Sequence, residues 1–347
     1  MLRRLLFLLA LVALLALFAY TFARWGKPRP VAELQGKLLA PPVGDRGALA
    51  WLERRPGGDC LVVRQRSRAA PRALLTAAEL GGLAVVNGRA YLSRRDREGG
   101  PTQMWSVQLH SGRQKALVPI PSPATQIVSG DEWICWLAER PAALPAAPFV
   151  VAGGPVTAVW AMTHRNDRLH PVRLLSGSGE AELLAVVSKD LYWAEYSGGT
   201  TRVRRQRITG GEVEPLVSEP GRRGALLLGN RLAWTAPSRE AALPEQYCSV
   251  KTRSLSGGEA TSIADWLAPD AVLLRSGRVL YAQERDALWQ LGSRRGQQRL
   301  LYRASLGGRV PTVIDGVEYL VQQHGRKARL IRRGLTWGGK LRVLVGV

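Results

Sequence analysis

Past residue 30 the hydrophobic positions come in short runs, each ended by Gly, Asn, Ser or a charged cluster. The runs resemble one another. Ala48-Leu49-Ala50-Trp51-Leu52, Ala90-Tyr91-Leu92, Trp133-Ile134-Cys135-Trp136-Leu137, Leu191-Tyr192-Trp193-Ala194, Leu232-Ala233-Trp234, Val279-Leu280-Tyr281-Ala282 and Val317-Glu318-Tyr319-Leu320-Val321 share one apolar-aromatic form. With Leu49, Arg89, Asp131, Asp190, Arg231, Arg278 and Val317 as landmarks, the spacings are 40, 42, 59, 41, 47 and 39 residues. A period near 40 residues is that of a propeller blade.

Each run is preceded by a second apolar stretch and a tight turn, as in Leu83-Ala84-Val85-Val86 followed by Asn87-Gly88, and Leu226-Leu227-Leu228 followed by Gly229-Asn230. These are hairpins by turn chemistry, because the turn needs residues that tolerate positive φ. A second hairpin follows in each unit, turning at Ser111-Gly112, Gly210-Gly211, Gly257-Gly258 and Gly307-Gly308. The three asparagines, Asn87, Asn166 and Asn230, all fall at expected turns. Two hairpins make a four-stranded antiparallel sheet, and sheets arranged radially leave few free edges. The expected fold is therefore all-β, a β-propeller of seven blades. Six is the alternative, because only ten residues separate Gly307 from Val317 and a strand is missing there. The segment 37–43 is expected to supply it and close the ring.

Ahead of the repeat, Leu5 to Phe22 are 18 residues without a charge, preceded by Arg3 and Arg4 and ending in an aromatic cluster with Tyr20 and Trp25. That length just spans a hydrocarbon core, and the aromatic end suits the headgroup level. Residues 1–30 are accordingly expected to be an N-terminal transmembrane helix, kept as a signal-anchor, plus a short linker. Residues 31–347 are expected to form the propeller on the extracytoplasmic side of the cell membrane, attached by a single pass.

Charge changes the picture next. The chain carries 49 basic and 27 acidic residues, a net +22, and 42 of the basic residues are arginine. Such a field attracts polyanions without sequence specificity, although arginine spread evenly along the chain is equally the mark of a composition bias. Cys60, Cys135 and Cys248 form no CxxC pair and no disulfide framework. His164 and His170 flank the turn at Asn166-Asp167; a two-residue loop there pairs Thr163 with His170 and puts the imidazoles on opposite faces of the sheet. The chain contains no G-x-S-x-G elbow, no P-loop and no H-E-x-x-H. No catalytic, cofactor or metal residue is assigned, no cofactor is expected, and the chain is not expected to be an enzyme.

The unit Leu191-Tyr192-Trp193-Ala194-Glu195 with Val203 to Gly211 resembles the YWTD-type blade of the low-density-lipoprotein-receptor propellers and is similar to bacterial TolB-like propellers. Tyr192 and Trp193 match the four-letter motif, Ala194 and Glu195 replace its Thr and Asp, and Trp234-Thr235 carries its middle letters. The resemblance implies a protein-binding or assembly scaffold. The loops between second and third strands share one face and include the longest connections, so the contact surface is placed there. Its candidate partner-binding residues are Arg94, Arg95, Arg97 and Arg140, with Leu288, Trp289, Arg294, Arg295 and Arg299 in a loop expected over 285–299. Arginines there would clamp carboxylate or phosphate groups, and Leu288 and Trp289 would form an apolar docking patch. A protein partner or an envelope polyanion is expected, with the membrane reached through the N-terminal helix and no specific nucleic acid. The alternative is a secreted propeller enzyme of the lactonase or lyase type with its site in the axial channel.

Overall fold

In the computed structural model, the described residues are 11–15, 29–45, 47–65, 70–139, 157–164, 170–175, 180–220, 224–238, 247–276, 278–284, 287–294, 296–303, 312–315, 317–324 and 327–335. They fold into seven antiparallel sheets, one per repeat. Lettered a to d from the axis outward, the strands of blade 2 are Glu79–Val86, Arg89–Arg95, Thr102–Gln108 and Gln114–Ile120. Blades 3 to 6 follow the same order. In blade 1 strand a is broken into Lys37–Leu38 and Val43–Asp45, which both pair with Ala48–Arg55.

The middle of strand b is buried on both faces in blades 1, 2, 4 and 5, which is why these segments read as continuous apolar runs rather than alternating ones. Successive residues serve opposite neighbours. Ala50 and Leu52, with Leu61 and Val63 of strand c, pack towards blade 2, while Leu49 and Trp51, with Cys60 and Val62, pack towards blade 7. The same division gives every blade interface its own core: Tyr91 and Trp136 meet between blades 2 and 3, Trp133 and Trp193 between 3 and 4, and Tyr192 and Trp234 between 4 and 5. The recurring aromatic of strand b is thus the wedge between wheels of β-structure; Trp51, Trp136, Trp193, Trp234 and Tyr281 are among the largest fully buried side chains.

Every blade also carries a register shift between strands c and d. A bulge adds local twist, and the outer strand of each blade is the place where a radial sheet must twist most. The crossovers between blades are held by side chains that accept backbone N–H groups: Leu80 donates to Asp59 at 3.1 Å, Ala124 to Ser93 at 2.9 Å, Gly224 to the Tyr196 hydroxyl at 3.3 Å and Ala268 to Glu284 at 2.8 Å. Backbone groups that leave a sheet edge need such partners. At the a–b turns Asn87 and Gly88 take φ of 51° and 72°, as their types predict, and Asn230 occupies its turn after Gly229.

Three expectations are corrected here. The strand that closes the ring is Arg29–Leu34, not 37–43: it pairs with Lys327–Gly334 as strand d of blade 7, in register from Arg29 opposite Arg332 to Leu34 opposite Ala328. Two residues assigned to the linker, Arg29 and Pro30, therefore stand in a strand. His170 pairs with Ala161 rather than Thr163, so the turn between them is longer than two residues. Residues 11–15 are helical, but among the described residues no helix is long and apolar enough to cross a membrane, and most of the expected span 5–22 lies outside the described residues.

Candidate functional site

Antiparallel pairing puts the b–c turns and the interblade crossovers at one end of the propeller, and the a–b and c–d turns at the other. The candidate residues divide between these ends. Arg94 and Arg95 close strand b of blade 2 at the b–c end and are engaged locally. Arg94 lies 4.2 Å over the Trp105 ring and donates to Asp96 at 2.6 Å and to Gln114 at 3.3 Å. Arg95 donates to Glu79 at 2.7 Å and to Thr102 at 3.2 Å. Arg97 is exposed in the following turn, and Arg140 lies outside the described residues.

The loop expected over 285–299 is instead strand c of blade 6, Ala287–Leu291, followed by a c–d turn. Leu288 is fully buried against Tyr281 and Val313, and Trp289 packs on the core between blades 5 and 6 while its indole N–H donates to Glu284 at 2.9 Å. The apolar docking patch expected of these two residues is corrected by their burial: an apolar run flanked by arginines is a strand whose turns face water. Arg294 is exposed in the c–d turn and Arg299 opens strand d, at the end of the molecule opposite Arg94; Arg295 lies outside the described residues. Arg94, Arg95 and Arg97 share the b–c end of blade 2, where Arg94 and Arg95 have separate partners, and Arg294 and Arg299 lie at the opposite end of the molecule.

Two features involve residues that sequence reasoning did not single out, although it named the axial channel as the site of the alternative reading. The first is the axial cavity, about 730 Å³, walled by the innermost strand of every blade. Val85, Val128, Leu184, Leu226, Leu274 and Ile314 are among its aliphatic lining. In blades 2, 3 and 4 the lining residues lie in the second half of strand a, so the cavity sits towards the a–b turns, away from the face on which the contact surface was expected. Among the described residues, one charged residue, Arg275, lines it. Its guanidinium donates to the carbonyl of Leu227 in blade 5 at 2.7 Å, and the side chain stays exposed to solvent. In the sequence it precedes the hairpin turn Ser276-Gly277, a position that reads as surface.

The second feature is an exposed aromatic pair at the b–c end of blade 5. Tyr247 and Trp266 are 38% and 51% exposed, with ring centroids 5.3 Å apart in an edge-to-face arrangement. Trp266 stands in an irregular stretch where Cys248 pairs with Leu267 but Val250 already pairs with Ala264. Its φ is 66°, a conformation that a bulky residue rarely adopts. Elsewhere, His164 is tied between blades: Nδ1 lies 3.1 Å from the Tyr91 hydroxyl and Nε2 2.9 Å from the Gly130 carbonyl. Among the described residues no three His, Cys, Asp or Glu side chains assemble into a group that could hold a metal ion.

No family model matches the chain, and no curated protein matches it. Solved structures do. An oligogalacturonate lyase in complex with manganese matches with a TM-score of 0.67 at 9% identity, over 90% of this chain and 98% of that one. Pyrococcus horikoshii acylaminoacyl peptidase matches with 0.61 at 11% identity, over 92% of this chain, which spans about half (55%) of the peptidase. Identities this low establish the fold, a seven-bladed propeller, and no more. TolB from Acinetobacter baumannii and a nidogen/laminin complex match with lower TM-scores, 0.45 and 0.42. The expectation that the chain is not an enzyme is corrected as well: lyase and peptidase propellers stand among its structural neighbours, so the fold supplies no ground for excluding catalysis.

Proposed function

We propose that this chain is a membrane-tethered, extracytoplasmic binding propeller whose site is the axial cavity at the a–b end. The observation that carries the reading is the cavity itself. Ligand sites are concave, mostly apolar and marked by a few placed polar groups, and their volumes run from about 300 to 1,000 Å³. The axial cavity, about 730 Å³, falls in that size range, and its wall combines aliphatic side chains, the polar backbone edges of the innermost strands and the Arg275 guanidinium. Tethering by residues 5–22 rests on the uncharged sequence and its arginine flank.

The test uses the full chain in lipid nanodiscs with an environment-sensitive apolar dye, empty nanodiscs serving as the reference. Leu184→Trp, which fills the cavity from blade 4, is expected to remove the protein-dependent signal. Undiminished signal in a folded Leu184→Trp protein overturns the reading. Protease digestion of the propeller from outside intact cells tests the placement.

A second reading is favoured by one observation, the Tyr247–Trp266 pair. Trp and Tyr are over-represented where partner proteins dock, and an exposed pair on a rigid blade is suited to that use. On this reading the b–c face, as the sequence suggested, binds a partner protein, and Trp266→Ser weakens that complex while Arg94→Ser does not.

A further inference from the structure

We infer that the pocket between blades 7 and 1 is a binding site for a phosphate group, held by Arg64 from blade 1 and Arg332 from blade 7. The site stands apart from the axial cavity and does not depend on it. The faces that the two blades turn to each other are apolar over most of their length, with Val321, Ala328 and Leu330 on blade 7 against Trp51, Cys60 and Val62 on blade 1. Successive residues of a strand alternate faces, so the same two rows continue from Leu330 to Arg332 and from Val62 to Arg64. Both rows end in arginine at the a–b end. There Tyr319, Arg332 and Arg29 lie directly opposite one another on strands b, c and d of blade 7. A cavity of about 150 Å³ opens beside them, and its lining includes Arg64, Arg332, Tyr319, Asp45 and Asp315.

Guanidinium groups gathered around one small space repel one another, and like charges directly opposite on neighbouring strands destabilise a sheet. Arg332 is 7% exposed. Burial lowers its pKa from the usual guanidinium value, the charges of Arg64 and Arg29 lower it further, and Tyr319 offsets part of this. The half-buried Arg64 guanidinium has no hydrogen-bond or ion-pair partner among the described residues. The two carboxylates of the lining do not answer it: Asp45 accepts the Gly88 N–H of blade 2 at 2.7 Å, and Asp315 is exposed at the rim. An anion between Arg64 and Arg332 turns their repulsion into two attractions.

Guanidinium forks on opposite walls suit an anion with acceptor oxygens on several sides. A tetrahedral phosphate has them, whereas a planar carboxylate is satisfied by one fork. Sites that bury a drug-sized ligand run from about 300 to 1,000 Å³, so this smaller cavity takes the phosphate and leaves any substituent outside. Free phosphate and a lipid headgroup present the same group. On the tethered reading a lipid is within reach, because Arg29 opens the first strand and the seven peptide steps from Phe22 span at most about 25 Å.

The probe is inorganic phosphate, titrated calorimetrically into the full chain in phosphatidylcholine nanodiscs at constant ionic strength, with empty nanodiscs subtracted. Saturable binding is expected. Arg64→Gln is expected to weaken it about 10-fold, the equivalent of about 1.4 kcal/mol. Arg64→Lys, which keeps the charge and loses the fork, is expected to fall between. Arg97→Gln removes the same charge from an exposed turn at the opposite end, where salt screens it, and should leave the affinity within about twofold. Without phosphate, Arg64→Gln should melt no lower than the wild type, because a charge facing Arg332 has gone. No saturable binding, an affinity unchanged by Arg64→Gln, or an equal weakening by Arg97→Gln overturns the inference. So does a lower melting temperature of Arg64→Gln in phosphate-free buffer, which would show that Arg64 is satisfied within the protein. Nanodiscs containing phosphatidic acid separate the two sources. An apparent phosphate affinity weaker there than in nanodiscs of equal charge made with oleate supports a lipid phosphate as the ligand, and equal affinities support free phosphate.

Discussion

Glu318 and Arg333 face each other across strands b and c of blade 7, and the guanidinium grips the fully buried carboxylate from Nη2 at 2.8 Å and Nε at 3.1 Å. The pair sits one strand inside the closing strand Arg29–Leu34, where the two ends of the repeat meet. Removing one member leaves a buried charge without its partner, which costs about 3–5 kcal/mol, whereas replacing both with apolar residues is often neutral. Arg333→Met is expected to lower stability by that amount, and Glu318→Leu/Arg333→Met to recover most of it. Urea denaturation of the three proteins checks this; a double variant no more stable than Arg333→Met refutes it.

Closure depends on the N-terminal strand as much as on the ion pair. Leu34 is 6% exposed and packs with Val31, Trp51 and Leu330 between blades 7 and 1. Leu34→Asp puts an unpaired charge there and is expected to detach the strand, opening a free edge on blade 7. Limited proteolysis between residues 29 and 40 should accelerate by an order of magnitude or more. Leu300→Asp, at a 36% exposed position, should leave the cleavage rate unchanged.

At Trp266 the usual order of small residues should invert. In a strand, Ala is normally more stable than Gly by about 0.5–1 kcal/mol. At φ of 66° the Cβ is the source of strain, about 1–2 kcal/mol for an L residue in the left-handed region. Trp266→Gly is therefore expected to melt higher than Trp266→Ala. Equal melting temperatures, or the ordinary order, would mean that the backbone relaxes at this bulge.

Glu182 gives the fold a pH dependence. Burial raises its pKa, and the hydrogen bond from the Tyr196 hydroxyl, 3.1 Å away, offsets only part of that. A carboxyl whose pKa is raised on folding favours the folded state most when protonated, so its contribution is present below the unfolded pKa and is lost as pH rises through the folded one. Glu182→Gln is accordingly expected to raise the melting temperature at pH 7. The difference should shrink as pH falls towards about 4, the ordinary range of glutamate. A constant difference across that range would show that the effect is not titration.

The repeat and the hairpins were legible because their causes are local. Asn87-Gly88 makes its turn whatever lies beyond it, and Leu49, Ala50, Trp51 and Leu52 announce a strand buried on both faces by leaving no polar side. The same locality misled at Leu288 and Trp289, where arginines on either side looked like the context of an exposed loop. An arginine before a turn and one on a contact surface read alike, and only the neighbours distinguish them. Arg94 is engaged by Asp96, Gln114 and Trp105, whereas Arg275 is turned into a cavity that no stretch of sequence contains.

The chain's own order of residues determined that there would be repeated antiparallel units of similar form, seven or six, since period, turn types and strand burial all depend on contacts within a few tens of residues. Tertiary structure alone decided that Arg29–Leu34 closes the ring and that Arg275 lines the axial cavity. Both join residues far apart in sequence: Arg29 meets Arg332 across nearly the whole chain, and the cavity exists only once seven innermost strands share an axis. Local patterning carries no record of which distant surfaces will meet, because that is settled by the packing of whole sheets on one another.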